Sequence, residues 1–177
     1  MAILTLRTFG DPILRTPAQA VTTFDADLRT LAADMLETMY AAPGVGLAAP
    51  QVGVSKRLVV FDSSAEGQKG SLCNGEIAWA SEETNEAEEG CLSLPGLYLP
   101  VVRSTRVVAQ GSDVNGEPIE IEAEGLFARI LQHEIDHTNG ILFIDRLTPE
   151  LRKEAMRRLR EQDLGLAPAP APGHSAL

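Results

Sequence analysis

The chain has 177 residues, the length of one domain rather than several. Its 44% hydrophobic and 23% charged residues are those of an ordinary globular protein, which excludes disorder over most of its length and excludes collagen-like and coiled-coil architectures. Fifteen basic against twenty-five acidic residues give a formal net charge of −10, which argues against binding free DNA, because contact with a phosphate backbone rests on clustered Lys and Arg.

The first residues, Met1 to Gly10, hold no apolar export segment. No stretch approaches the roughly 20 apolar residues of a membrane span. The expectation is a cytoplasmic protein in a reducing compartment. There Cys73 and Cys91 are free thiols or metal ligands rather than a disulfide.

Asp25 to Tyr40 reads as an amphipathic helix, with Leu28, Leu31, Ala32, Met35 and Met39 on one stripe and Asp25 as its cap. Pro43 to Gly53, rich in Gly and Pro, reads as a shaped loop. Arg57 to Asp62 is a short apolar strand, and Ser63 to Gly75 a polar surface loop. Asp62 to Glu89 carries eight acids against one base, Lys69, and reads as a solvated stretch. Leu92 to Val102, interrupted by Pro95 and Pro100, is an irregular or edge strand. Arg106–Gln110 and Pro118–Ile121 alternate in polarity about Asn115-Gly116, a hairpin signal.

Glu122 to His137 is a second helix whose apolar stripe runs through Leu126, Ile130, His133 and His137, widened by Phe127, Leu131 and Ile135. Pro149 to Gln162 is a third helix. Residues 165–177, rich in Ala and Pro, read as a disordered tail after a single catalytic domain over 1–164. Helices beside antiparallel strands, without βαβ alternation, argue α+β.

His133-Glu134-Ile135-Asp136-His137 is H-E-x-x-H. On a helix it sets both imidazoles on one face, with Glu134 rotated about 100° away, where it can take a proton from water. Two imidazoles on an apolar stripe would cost several kcal/mol if left unpartnered, so a shared metal is the better reading than two isolated core histidines. A catalytic metal needs a third protein ligand and an open position. The long zinc-protease pattern fails, since Phe143 stands where its third His belongs. Glu150, Glu154 and Glu161 would suit an H-E-x-x-H zinc endopeptidase but lie on a basic helix, and Cys91 and Cys73 are the upstream candidates. A third segment, Gly44-Val45-Gly46-Leu47-Ala48-Ala49-Pro50-Gln51, is no phosphate loop. Its small residues let a substrate backbone approach, and Gln51 offers an amide donor.

Taken together, three motifs in one order resemble the peptide deformylase family: Gly44, Gly46, Leu47, Ala48, Ala49 and Gln51; Glu89-Gly90-Cys91-Leu92-Ser93; and Gln132-His133-Glu134 with Asp136-His137. The likeness runs from the N-terminus to about Glu161. The resemblance implies antiparallel strands around a central metal-binding helix, followed by a C-terminal helix. It implies Cys91, His133 and His137 as ligands of one Fe2+, with Zn2+, Ni2+ or Co2+ possible in a preparation. It also implies removal of the N-formyl group from nascent formyl-Met polypeptides. Glu134 would then move the proton, while Gln51 and the Leu92 amide donate to the oxyanion.

Val45, Leu126 and Ile130 are expected to line the methionine pocket, with His133 at its base. The strand edges at Glu89-Gly90 and Gly44-Val45-Gly46 are expected to receive an extended peptide. Where the family often has Asn-Pro, this chain has Asn74-Gly75, expected at a turn. Asp136 lies off the metal stripe and is expected to pair with Arg103. Leu151 to Arg160 holds five bases and one acid. In the family the corresponding helix docks on the ribosome, which is expected here too.

Overall fold

A computed structural model describes residues 2–63, 67–166 and Leu177. Helix α1 (Ala26–Ala41) is capped by Asp25, whose carboxylate accepts from the Leu28 N–H. Strands β1 (Gly46–Ala48), β2 (Leu58–Ser63), β3 (Gln68–Ala80), β6 (Arg106–Ser112) and β7 (Pro118–Glu124) form one antiparallel sheet in the order β1-β2-β3-β6-β7. A second sheet pairs β4 (Thr84–Cys91) with β5 (Leu94–Ser104). Helix α2 (Gly125–Thr138) is followed by the 3-10 turn Phe143–Arg146 and by α3 (Pro149–Asp163).

Both sheets contact α2. Alternation along β2 sends Val59 and Phe61 into one cluster with Phe127, Ile130, Leu131 and Ile135 of α2. Leu58 and Val60 pack on the other face of the sheet with Met35 and Met39 of α1. A third cluster joins Cys91, Leu94 and Leu97 to Phe143, Ala155 and Leu159. Helix α2 therefore lies between the five-stranded sheet and the layer of β4, β5 and α3, which explains why 11 of its residues are buried.

Several expectations require correction. The loop expected over Pro43–Gly53 contains β1 and the 3-10 turn Ala49–Val52, because Gly46, Leu47 and Ala48 pair with Phe61, Val60 and Val59. Of the loop expected over Ser63–Gly75, residues 64–66 lie outside the described residues. From Gln68 onward it is β3, bonded to β2 and then to β6. Asn74-Gly75 is therefore no turn: it sits at the register shift of β3, with Asn74 at φ 53° held by two hydrogen bonds to the Val21 backbone. The acidic stretch is solvated as expected at Glu76, Glu82, Glu83, Glu86 and Glu88, but it runs through β3 and β4 rather than a loop, and its last member, Glu89, is wholly buried.

The second helix starts three residues later than expected, since Glu122, Ala123 and Glu124 pair with Val108, Val107 and Arg106. Pro95 and Pro100 fall in a two-stranded sheet, where every strand is an edge and a missing N–H is tolerated. The hairpin at Asn115-Gly116 joins β6 to β7 as expected. Of the expected tail, Gly165 and Leu166 are exposed, Leu177 is buried in the α2 cluster, and residues 167–176 lie outside the described residues.

Candidate metal centre

Cys91 closes β4, and His133 and His137 occupy the last two turns of α2. All three are buried, and their donor atoms lie within 4.8 Å of one another. Cys91 Sγ stands 3.3 Å from His137 Nε2, and the two imidazole centroids are 5.0 Å apart. Tetrahedral coordination with metal–S of about 2.3 Å and metal–N of about 2.1 Å puts sulfur and nitrogen about 3.6 Å apart, within this span. His133 Nε2 is buried with no hydrogen-bond partner among the described residues, which is the state expected of a nitrogen that serves a metal.

Burial pulls the His133 imidazolium down, but Cys91 and Glu89 outweigh it and hold the group up at about 10. His137 is pushed well below its ordinary value, by desolvation and by the neighbouring His133 charge. The pocket thus favours one positive charge where the three donors converge. A soft thiolate with two imidazoles suits a transition ion rather than magnesium or calcium. The residues present fit a metal ion.

Glu134 follows the first histidine and is wholly buried, and neither of its carboxylate oxygens has a partner among the described residues. Burial raises its pKa to about 7, a value suited to moving protons near neutrality. Its carboxylate packs directly on β1: a Cβ added at Gly46 would meet Glu134 Oε1 at 2.4 Å. That contact is a second reason for glycine there, beside the expected approach of substrate. At Gly44 a Cβ would meet the Leu92 side chain at 2.9 Å, so the glycine segment also lies against the turn after Cys91.

Gln51 is buried, and its amide is oriented. Oε1 accepts from the Ala48 N–H at 2.8 Å, which leaves Nε2 as the donor facing Cys91 Sγ at 3.6 Å and Ser93 Oγ at 3.3 Å. The amide donor therefore points at the metal cluster.

A family model described as polypeptide deformylase matches residues 3–153. A peptide deformylase from Acidothermus cellulolyticus is 55% identical over 163 residues, covering 92% of this chain and 89% of that protein. The crystal structure of a peptide deformylase from Legionella pneumophila superposes with a TM-score of 0.84 at 46% identity, covering 94% of this chain and 100% of that one. A structure from Ehrlichia chaffeensis, a peptide deformylase in complex with actinonin, gives 0.84 at 38% identity, covering 92% and 99%.

The chain belongs to the polypeptide deformylase family.

The residues expected to line a methionine pocket lie beside β1 and on α2. Val45 is half-buried against the cluster that contains Ile130. Ile130 is fully buried, and Leu126, in the first turn of α2, is 45% exposed. Glu89 differs from its expected part at a strand edge. Its side chain turns inward, where Oε1 accepts from His133 Nδ1 at 2.9 Å and the two oxygens accept from Arg103 and Arg129. Burial alone would raise the Glu89 carboxyl, but His133 and Arg103 override it and hold it down to about 2.

Arg103 pairs with Asp136 as expected, at 2.6 Å, and Arg146 pairs with the same carboxylate. Cys73 belongs to the α1 cluster, where burial pushes its thiol up to about 11. Glu154 and Glu161, which the endopeptidase alternative would use, pair with Arg158 and Arg157 on α3. Sequence reasoning missed Arg129. Its signal was present, as a charged side chain one helical turn before His133 on a helix that is otherwise apolar there.

Proposed function

We propose that Glu134, Gln51 and the Leu92 backbone amide carry out deformylation at an ion held by Cys91, His133 and His137. The reaction is hydrolytic removal of the N-formyl group from the N-terminal formylmethionine of newly synthesised polypeptides, with release of formate, and the enzyme is a metal-dependent hydrolase. When bound, the ion supplies a Lewis acid that brings the pKa of water toward neutrality and polarises the formyl oxygen. Fe2+ is the proposed ion in the cell, with Zn2+, Ni2+ or Co2+ as substitutes, and the thiolate–imidazole donor set supports that choice.

Glu134 carries this reading: a buried carboxylate with no hydrogen-bond partner among the described residues, titrating near neutrality, next in sequence to a proposed ligand histidine. It takes the proton from water as the formyl carbon is attacked and gives it to the departing amine. Gln51 Nε2 and the Leu92 N–H donate to the oxyanion as the carbonyl becomes tetrahedral. The orientation imposed on Gln51 by Ala48 supports its part.

Both β1 and β4 are edge strands, so an extended peptide can add its backbone at Gly44-Val45-Gly46 or at Glu89-Gly90. The methionine side chain then rests against Val45, Leu126 and Ile130. No helix among the described residues is long and apolar enough to cross a membrane, and a cytoplasmic location beside nascent chains is the proposed one. The test is formate release from a formyl-Met peptide by anaerobically iron-loaded enzyme. Wild type should release it, and Glu134→Ala and Cys91→Ala should not. Cleavage of internal peptide bonds instead would overturn the reading.

Contact with the ribosome through α3 is also proposed. Its support is the basic run Leu151–Arg160. Pairing of Arg152, Arg157 and Arg158 with Asp145, Glu161 and Glu154 reduces the charge on offer. Co-sedimentation with ribosomes should be lost on removing residues 149–177, and unchanged binding would dismiss the contact.

A further inference from the structure

We infer that Arg129 is a positioning residue of the metal centre: with Arg103 it holds the Glu89 carboxylate in one orientation, and Glu89 in turn holds the His133 ring. The inference rests on the reading of Cys91, His133 and His137 as metal ligands.

Arg129 is 4% exposed and lies one helical turn before His133 on α2. Its Nη1 donates to Glu89 Oε2 at 3.0 Å and to the Val101 carbonyl at 2.9 Å. Its Nη2 donates to the Asn85 carbonyl at 3.1 Å and to Asn85 Oδ1 at 2.7 Å. One guanidinium thus ties α2 to both β4 and β5 at the level of the first histidine ligand.

Glu89 Oε2 also accepts from Arg103 Nε at 3.0 Å, while Oε1 accepts from Arg103 Nη2 at 3.1 Å and from His133 Nδ1 at 2.9 Å. Each oxygen has two donors, so the carboxylate cannot turn without breaking a charge-assisted bond.

Donor and acceptor roles then settle the tautomer. Guanidinium groups only donate, and a carboxylate facing two of them is ionised and only accepts. His133 Nδ1 must therefore carry a proton, so Nε2 is the ring nitrogen that can give its lone pair to an ion once its own proton has left. Buried ion pairs contribute little net stability, whereas an outer carboxylate on a ligand histidine changes metal affinity about 10–100-fold. The larger effect of this cluster is on metal retention. Arg103 is also bonded to Asp136, so its removal would deprive a second carboxylate of a charged partner, whereas the further contacts of Arg129 are to neutral groups of Val101 and Asn85.

The experiment loads full-length wild type, Arg129→Met, Arg129→Lys and Glu89→Gln with Co2+. It records the visible ligand-field spectrum and the rate of Co2+ loss to excess chelator. Glu89→Gln should lose the ion about 10–100-fold faster than wild type. Arg129→Met should show a shifted spectrum and loss roughly ten-fold faster, with part of both recovered in Arg129→Lys. A wild-type spectrum and wild-type loss rate in Arg129→Met would overturn the inference, whatever its melting temperature. If Arg129→Met fails to fold, Arg129→Lys is read by the same two criteria, since a lysine cannot span Glu89 and Asn85 together. Failure of wild type to bind Co2+ would overturn the metal-centre reading itself.

Discussion

At the scale of single residues, Glu134 sits against the Gly46 backbone with neither oxygen hydrogen-bonded among the described residues, and burial lifts its pKa to about 7. Glu134→Gln keeps the shape and removes the base, so kcat should fall about 10²–10⁴-fold while a full complement of metal is retained. The same substitution should change the stability of the metal-free protein in a pH-dependent way. The raised pKa means that between about pH 4.5 and pH 7 the folded state holds a proton the unfolded chain has lost. The Glu134 contribution to stability therefore declines across that window and levels off above it. Glu134→Gln has no such loss. It should match wild type near pH 4.5 and exceed it by up to about 3 kcal/mol at pH 8, measured by urea unfolding after chelation. Equal pH profiles would show that Glu134 is not desolvated. Gly46→Ala should lower kcat and spare metal binding, because a Cβ there would collide with the Glu134 carboxylate rather than with a ligand. Metal analysis beside steady-state rates separates the two effects.

At the scale of elements, legibility followed periodicity. Helix α1 was placed within a residue because Asp25 caps it and its apolar stripe is clear, and α3 was placed within a residue from Pro149 onward, where the structure adds Thr148 as its cap. Helix α2 was found by its stripe but began late, since strand pairing with β6 claims Glu122–Glu124. Strand β3 was read as a loop. Its Gly70, Asn74 and Gly75 have poor strand propensity, and β2 and β6 supply the pairing that compensates. Asn74 shows how such a strand tolerates its irregularity. Asn74→Ala would remove both bonds to Val21 and force alanine to φ 53°. It should cost about 2–4 kcal/mol while kcat per folded molecule is unchanged. A loss below about 0.5 kcal/mol in chemical denaturation would mean the bulge needs no side-chain support.

At the scale of the whole molecule, the candidate metal centre joins elements distant in the chain: β4 supplies Cys91 and α2 both histidines, with Gln51, from the turn after β1, beside them. An ion bound there would link β4 to α2 and stabilise only the folded state. At 1,000 times its Kd, it should add about 4 kcal/mol. The melting temperature should rise on adding Zn2+ or Co2+ and fall with chelator, and Cys91→Ala should abolish the difference. Truncation after Leu164 should leave kcat/KM within about two-fold, since the proposed catalytic unit ends there, and should cost no more than the roughly 1.5–3 kcal/mol of burying Leu177.

What the sequence determined by itself was the chemistry: H-E-x-x-H on an apolar helical stripe, a cysteine between glycine and an apolar run, and a glutamine after a run of small residues. Those features are local, and spacing alone sets which side chains share a face. The expected partnership of Arg103 with Asp136 was legible in the same modest way. The resemblance had already named Cys91 rather than Cys73, and the structure brings its thiol to the histidines; only the tertiary structure decided that Glu89 turns inward to His133 and that Arg129 braces it. Each of those facts depends on which strand lies beside α2 and which way its residues alternate. Register and layer order are set by the packing of elements distant in sequence, and no local pattern along the chain encodes them.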